Sequence, residues 1–464
     1  MKLSRLPFIL VLFSYLLLGG LYAWFTPAWQ APDEPAHYNY VRQLAAGQLP
    51  LMEPSDYNEA FRNAAVSSGF APEYEISLLT YEDWQPPLYY LLQTPVYWLS
   101  GGSLLALRLF SLLLGAGVVV GAYLIGRQLF PQREWLALTT AVFVAFVPQH
   151  TAIMASVNND ALAELLIAGI ILLLLKSFDA EAQTCAEHSR SRHRGEKTAP
   201  LPTSHFSLST TYFPLLTIGV LLGLGYLTKG TVYPLSFLVA ALLLWRYWGN
   251  WAGLVRAGLL VFGVALLMGS LWWGRNLVVY EGLDPFATMA HDRAVVGQTR
   301  TAEWVADYGL AETVRRFGQT TFNSFWGQFG WMALPMTHPG WLYPLLRLFT
   351  GVVVGGLLVE GVRQRGRWRP AVWILLGLVG LAAAVHVGYN LTYVQHQGRY
   401  LFPALIPMGV GVAAGLWGWL RPFYYRLPPS NWRLYVPYLL PLGLALALIL
   451  LNLHAIFRVI VPNL

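Results

Sequence analysis

The sequence predicts an all-α polytopic membrane protein of about eleven transmembrane helices, with its N-terminus in the cytoplasm and two long outer loops carrying interfacial helices. Three observations lead there. The 464 residues are 56% hydrophobic and only 11% charged, with mean hydropathy +0.48, well outside the range of soluble domains. Apolar runs of roughly 20 residues, enough to cross about 30 Å of hydrocarbon, recur along the chain. Basic residues gather in alternate inter-helix segments, as they do on the cytoplasmic side of short loops.

The predicted spans lie near 5–25, 103–126, 135–151, 158–176, 211–228, 231–247, 253–280, 341–361, 370–391, 399–420 and 434–456. The first follows Lys2 and Arg5, but its apolar run from Leu6 to Phe25 is too long for a signal-peptide core and no small-residue cleavage site follows. It is expected to be a retained anchor. Of 30 basic and 23 acidic residues, the segments placed inside hold 18 and 6, leaving 12 and 17 for the rest. This partition accounts for the net charge of +7 without nucleic acid as a partner. The apolar stretch "QPPLYYLLQTPVYWLSGG" (85–102) is short and contains Pro95; counted as a span it would invert everything downstream, so it is expected to be re-entrant or interfacial.

The whole chain thus reads as one membrane domain (1–464). The only cysteine, Cys185, falls in a polar, basic cytoplasmic loop (177–210) read as a flexible linker, and a lone cysteine permits no intramolecular disulfide. The first outer loop (26–102) and the second (281–340) are too long for turns and too rich in Trp, Phe and Tyr for disorder. Both are expected to be ordered and to face each other across a cavity. No phosphate-binding glycine loop, HExxH or zinc-type cysteine pair occurs. Chemistry is therefore expected at the membrane surface.

Ionisable groups at the ends of spans are costly and default to functional hypotheses. Six separated stretches place them at one level: Asp33, Glu34, His37 and Tyr38 after the first span; Glu82, Asp83 and Gln85 before 86–102; Asn158, Asn159 and Asp160; Lys229; Arg275; and Gln397, Arg399 and Tyr400. Each has a plainer role open to it. Asp33 suits a helix N-cap with Glu34 favoured by the helix dipole, the Asn-Asn-Asp run suits another cap, Lys229 suits a snorkelling lysine, the arginines suit headgroup contacts, and His37 suits a hydrogen-bonded neighbour. Taken together, carboxylates facing Lys229, Arg275 and Arg399 suit a site that binds an anionic phosphate and activates a hydroxyl.

The stretches "PDEPAHYNYV", "QPPLYYLL", "SVNNDALAELL", "YLTKGTVYP", "WWGRNLVVYEGLDPF" and "QGRYLFPALIP", in this order over about residues 5–420, resemble the GT-C superfamily of polytopic glycosyltransferases. The similarity is to members related to protein O-mannosyltransferases and the lipid A aminoarabinose transferase, the phospholipid carrier-dependent glycosyltransferases. The resemblance implies a polyprenyl-phosphate-linked sugar donor, a lipid, glycan or protein acceptor, and a cytoplasmic-membrane enzyme whose site faces outward. It implies that Asp33 is the general base of an inverting transfer, with Glu34 orienting it or the acceptor. Many relatives carry His or Lys where this chain has Gln85, which shifts the expected phosphate contact to Lys229, Arg275 and Arg399. The expected lack of a C-terminal soluble domain argues against sequon recognition. Asp33, Glu34, Asp160 and His37 are oxygen- and nitrogen-rich enough to hold a divalent cation; no other cofactor is implied. The rival reading is a transporter or flippase of a lipid-linked or anionic solute, and a third is a non-catalytic subunit that keeps the fold.

Overall fold

A computed structural model describes residues 6–193, 208–364, 370–426 and 431–464. The chain opens with α1 (Leu6–Phe25), followed in the first long segment by α2 (Glu34–Ala45), α3 (Glu59–Ser67) and α4 (Leu88–Ser100). Next come α5 (Leu104–Leu129), α6 (Glu134–Phe146), α7 (Pro148–Met154), α8 (Asp160–His193), α9 (Leu208–Tyr226) and α10 (Leu235–Arg246). Helix α11 (Trp251–Gly258) passes through a π turn, Leu259–Gly263, into α12 (Val264–Val279). The second long segment holds α13 (Thr288–Ala294), α14 (Thr301–Tyr308), α15 (Leu310–Trp326) and an antiparallel hairpin of β1 (Gln328–Phe329) and β2 (Leu334–Pro335). The chain ends with α16 (Leu342–Arg363), α17 (Pro370–Asn390), α18 (Leu405–Arg426), α19 (Asn431–Tyr435) and α20 (Leu439–His454). The hairpin, with an isolated antiparallel bridge between Arg300 and Tyr393, departs from the all-helical expectation among the described residues.

Among the described residues seven helical stretches are long and apolar enough to cross a membrane, or eight if α6 and α7, bent by 65°, form one span. These correspond to eight of the predicted segments. The other three are helical as well: α8, which carries Asp160, Glu164 and Lys176 over its first five turns, and the shorter apolar helices around α9 and α10. The number eleven therefore rests on three helices that length and composition alone do not establish as spans. Residues 194–207 of the predicted linker and the basic run 365–369 lie outside the described residues. Segment 85–102 contains α4, thirteen residues packed on α2 and α5, with Leu91, Leu92, Trp98 and Leu99 left exposed.

Helix α6 is the axis of the bundle. Every residue from Trp135 to Phe146 is buried, and α5, α18 and α20 pack around it, as expected of a helix that is apolar on all sides. Helices α16 and α18 meet backbone to backbone: a Cβ on Gly356 would overlap the carbonyl of Gly415, and one on Gly418 that of Gly356. Small residues permit this approach, which replaces hydrophobic drive with dispersion contacts where the surroundings are lipid.

The entry to the first long segment is fixed by an arginine buried inside an apolar helix. Arg108, on the first turns of α5, is 3% exposed. Its Nε and Nη2 donate to Glu34 Oε1 and Oε2 at 2.8 and 2.6 Å, its Nη1 to the carbonyls of Ala23 and Thr26 at 2.9 and 2.7 Å, and its Nη2 also to Pro27 at 3.0 Å. Each of the five guanidinium donors thus has an acceptor. Helix α1 leaves its last carbonyls without intrahelical partners, and Arg108 supplies donors to them. Glu34 is completed by the backbone N–H groups of Trp29 and Val157, both at 3.2 Å. The side chain expected to orient Asp33 or the acceptor therefore faces into the bundle, because the next helix holds an arginine that needs a counter-ion. Removing one member of a buried pair strands the other charge at a cost of about 3–5 kcal/mol. Glu34→Gln and Arg108→Met are each expected to lower the unfolding temperature of the detergent-purified protein sharply, and Arg108→Lys to restore only part of it, since an ammonium has three donors for five acceptors.

Candidate active site

Asp33 occupies the N-cap position of α2 with φ of 65°, and its side chain makes no capping hydrogen bond. Left-handed backbone is uncommon outside glycine but Asp and Asn tolerate it. Here it is held in place by the neighbouring Glu34, whose N–H donates to Ala31 and whose carboxylate is locked to Arg108. The twist turns the Asp33 carboxylate away from the helix terminus. Oδ2 accepts from Arg399 Nη2 at 2.6 Å and Oδ1 from the Tyr81 hydroxyl at 3.1 Å. Burial pushes its pKa up, but the charge and hydrogen bond of Arg399, with smaller help from His37 and Tyr81, outweigh this and hold it below the ordinary carboxylate value.

Arg399 comes from the turn Gly398–Ala404 that leads into α18. Its register is set by Gly398, which lies so close to α15 that a Cβ would overlap the Thr321 carbonyl, and whose N–H donates to Ser324 Oγ at 2.7 Å. Arg399 Nε is buried without a partner. Lys229, on the turn between α9 and α10, donates to Asp160 Oδ1 at 2.6 Å. His37 lies behind Asp33 with Nδ1 2.8 Å from the Tyr90 hydroxyl; burial, only partly opposed by the Asp33 charge, drives its pKa down to about 3, so it is neutral.

These groups border a cavity of about 650 Å³, within the range of small-molecule sites. Asp33, Lys229 and Arg399 sit at its polar centre, with Gln397 and Tyr400 alongside. On one side it extends between α8, α10 and α17 along Ile167, Leu235, Leu378, Leu381 and Val385. On the other it is walled by Tyr57, Arg62 and Trp84 from the first long segment and by His291 and Trp331 from the second. The two segments are fastened beside Asp33 by Trp331 Nε1, which donates to the Trp29 carbonyl at 3.0 Å.

Of the residues singled out in the sequence, Asp33, His37, Glu82, Gln85, Asn158, Lys229, Gln397, Arg399 and Tyr400 line this cavity, and Asp160 reaches it through Lys229. The others are engaged elsewhere. Tyr38 packs between Trp29 and Tyr97 and donates to the Gly102 carbonyl at 2.8 Å. Asp83 accepts from Gln43 Nε2 at 2.8 Å, and Asn159 is buried beneath the floor, 3.3 Å from both Gln85 Oε1 and the Tyr90 hydroxyl. Arg275, expected to bind phosphate, lies over Trp272 at 4.8 Å and donates to the Pro50 carbonyl. It ties the first long segment to α12, where an uncapped backbone carbonyl lies within reach of the α12 terminus. Nor do the suggested cation ligands converge, since Glu34 faces Arg108 and Asp160 faces Lys229. Among the described residues no three His, Cys, Asp or Glu side chains form a metal-holding group.

Two cavity residues were not assigned a role from sequence. Tyr81 donates to Asp33. Glu82 lines the cavity, and burial together with the Asp33 charge raises its pKa to about 8, so at neutral pH it is an uncharged carboxylic acid. Both belong to "TYEDWQPP", where six polar or aromatic residues precede a proline pair, and the pattern gives no means of ranking Glu82 against Asp83.

The arrangement of helices is that of the polytopic GT-C glycosyltransferases. ArnT from Cupriavidus metallidurans bound to undecaprenyl phosphate superposes with a TM-score of 0.51 at 15% identity, over 99% of this chain and 73% of that one; apo ArnT gives 0.54 at 16%, over 98% and 73%. The Archaeoglobus fulgidus oligosaccharyltransferase, tethered to an acceptor peptide containing the NVT sequon, gives 0.54 at 14% identity, over 95% of this chain and 54% of that one. At such identities the likeness is one of fold, and this chain spans about half the length of the oligosaccharyltransferase. Residues 84–184 match the family described as dolichyl-phosphate-mannose-protein mannosyltransferase. No curated protein matches the chain in sequence.

Because the folded pKa of Asp33 lies below its unfolded one, its pairing stabilises the fold above the ordinary carboxylate range and ceases to do so as pH falls through the folded value. Arg399→Gln is therefore expected to lower the unfolding temperature near neutral pH. The difference from the wild type should shrink as pH falls through the folded value of Asp33, where the wild type loses the pairing as well, as read from thermal unfolding across an acid series.

Proposed function

We propose that the chain is a glycosyltransferase that moves a sugar from a polyprenyl-phosphate carrier to an acceptor hydroxyl at the outer face of the cytoplasmic membrane. The observation that carries this reading is the juxtaposition of an ionised carboxylate, two cations and an apolar extension within one cavity. Asp33 is the base: it takes the proton of the acceptor hydroxyl as that oxygen forms its bond to the anomeric carbon. The bond from that carbon to the phosphate oxygen breaks on the opposite face, inverting the centre, and polyprenyl phosphate leaves with the bonding pair. Lys229 and Arg399 meet the charge that develops on it. Each gives one donor to a carboxylate and retains others, among them the unpartnered Arg399 Nε, and donors fixed in advance need no reorganisation as charge develops. The wall of α8, α10 and α17 suits the first isoprene units of the carrier. The leaving group is already a phosphate, so no strong general acid is required.

His37, neutral and held by Tyr90, adds no charge to repel the lysine or arginine. Glu82, uncharged at neutral pH, leaves Asp33 as the carboxylate that can accept a proton. Glu34 acts through the backbone, as a positioning residue for Asp33. The fold of ArnT and of the oligosaccharyltransferase, and the match of residues 84–184, support a lipid-carrier-dependent transfer.

The test is incubation of purified protein with undecaprenyl-phosphate-linked sugars and extracted membrane acceptors, following carrier release and acceptor labelling. Asp33→Asn is expected to reduce transfer by about 100- to 10,000-fold, the usual worth of a positioned base. Transfer by this variant at the wild-type rate would remove Asp33 from its role, and movement of intact carrier across vesicles without cleavage would favour the transporter reading. A second expectation concerns pH. Ionisation of Glu82 near pH 8 places a second negative charge beside Asp33, so transfer should fall as pH rises past about 8, and Glu82→Gln should abolish that alkaline fall while leaving the acid side unchanged.

A further inference from the structure

A second cavity, of about 530 Å³, lies at the opposite end of α17 from Asp33. The active-site cavity touches α17 from Leu378 to Tyr389, whereas this one touches its first turns at Ala371, Val372 and Leu375. Its interior is apolar, walled by Leu357 of α16, Leu375 of α17, Val410 and Ala414 of α18, and Phe130 from the turn between α5 and α6. Its rim is polar. The one rim carboxylate, Glu360, is already matched: Arg421 Nη1 donates to both its oxygens at 2.9 and 3.2 Å, and Gln364 to one of them at 2.6 Å. Arg133 is not matched. Its guanidinium lies over the Trp417 ring at 4.7 Å and has no carboxylate partner among the described residues. Among the described residues the groove is therefore an apolar slot with Arg133 as the uncompensated cation at its mouth, at the end of the bundle that also carries Arg127, Arg363 and Arg421.

We propose that this groove holds one anionic phospholipid, with its phosphate against Arg133 and an acyl chain between α16, α17 and α18. A guanidinium stacked on an aromatic ring keeps its edge donors free for phosphate oxygens, and an apolar slot open to hydrocarbon is filled by a chain at no desolvation cost. A zwitterionic lipid of the same chain length fills the slot equally but brings a cation of its own to the arginine. The slot thus selects for an acyl chain and Arg133 for net negative charge.

Native mass spectrometry of the full chain in detergent, titrated with phosphatidylglycerol or with phosphatidylcholine of the same chains, tests this. The wild type is expected to retain one phosphatidylglycerol at a concentration about fivefold lower than Arg133→Gln requires, the discrimination usual for one basic residue at a lipid headgroup. Arg133→Lys should keep most of that preference, and phosphatidylcholine should not distinguish the wild type from Arg133→Gln. Ala414→Trp, which fills the slot, should abolish retention; if that variant does not fold, Val372→Trp fills it from the α17 side. Equal retention of phosphatidylglycerol by the wild type, Arg133→Gln and the folded slot-filling variant would overturn the proposal, as would equal retention of both lipids by the wild type.

Discussion

The candidate active site depends on the buried pair of Arg108 and Glu34. An arginine inside a membrane-length helix is tolerated only when every donor is met, and here the acceptors come from Ala23 near the end of α1, from Thr26 and Pro27 just after it, and from the first residue of α2. One side chain thus joins α5, the end of α1 and the start of α2, while Glu34 adds the backbone leading into α8 through Val157. With the residues on both sides fixed, Asp33 has little choice but its left-handed conformation, and its carboxylate turns outward to the cavity. Neighbouring carboxylates of the same chemistry thereby acquire different surroundings, Glu34 locked inside the bundle and Asp33 facing the cavity.

Within the cavity, the electrostatics are arranged as pairs rather than as free charges. Asp33 with Arg399 and Asp160 with Lys229 each place opposite charges 2.6 Å apart, which lets four ionised groups exist in a half-buried site that would otherwise neutralise them. A phosphate entering such a site exchanges partners with carboxylates already present instead of neutralising bare cations. The neighbouring groups that could have competed for protons, His37 and Glu82, are kept neutral by burial. The same low-polarity surroundings that favour their neutral forms strengthen the ion pairs beside them.

Backbone approach supplies the precision that side chains alone do not. Gly398 lets the turn bearing Arg399 rest directly on α15, and the contacts among Gly356, Gly415 and Gly418 bring α16 and α18 together without intervening side chains. Helix α17 spans from one cavity to the other, so a single element separates the polar cavity around Asp33 from the apolar slot beside Arg133.

The sequence by itself determined the class of protein: composition and recurring apolar runs leave few alternatives to a helical membrane bundle, since only structures that satisfy their own backbone survive in hydrocarbon. It also placed Asp33, Lys229 and Arg399 at the ends of predicted spans, and these three meet in one cavity, where Arg399 donates to Asp33. Tertiary structure decided which polar residues share a surface. Glu34 and Asp33 are adjacent in the chain yet point to different places, Arg275 sits at the right level but on the wrong side of α12, and Tyr38 and Asp83 turn into the protein. Arg108, the residue on which the arrangement rests, was legible as a lone arginine in an apolar run, but its partners lie more than 70 residues away in sequence. Side-chain direction depends on helix rotation and on who needs a counter-ion, and neither is written in local spacing.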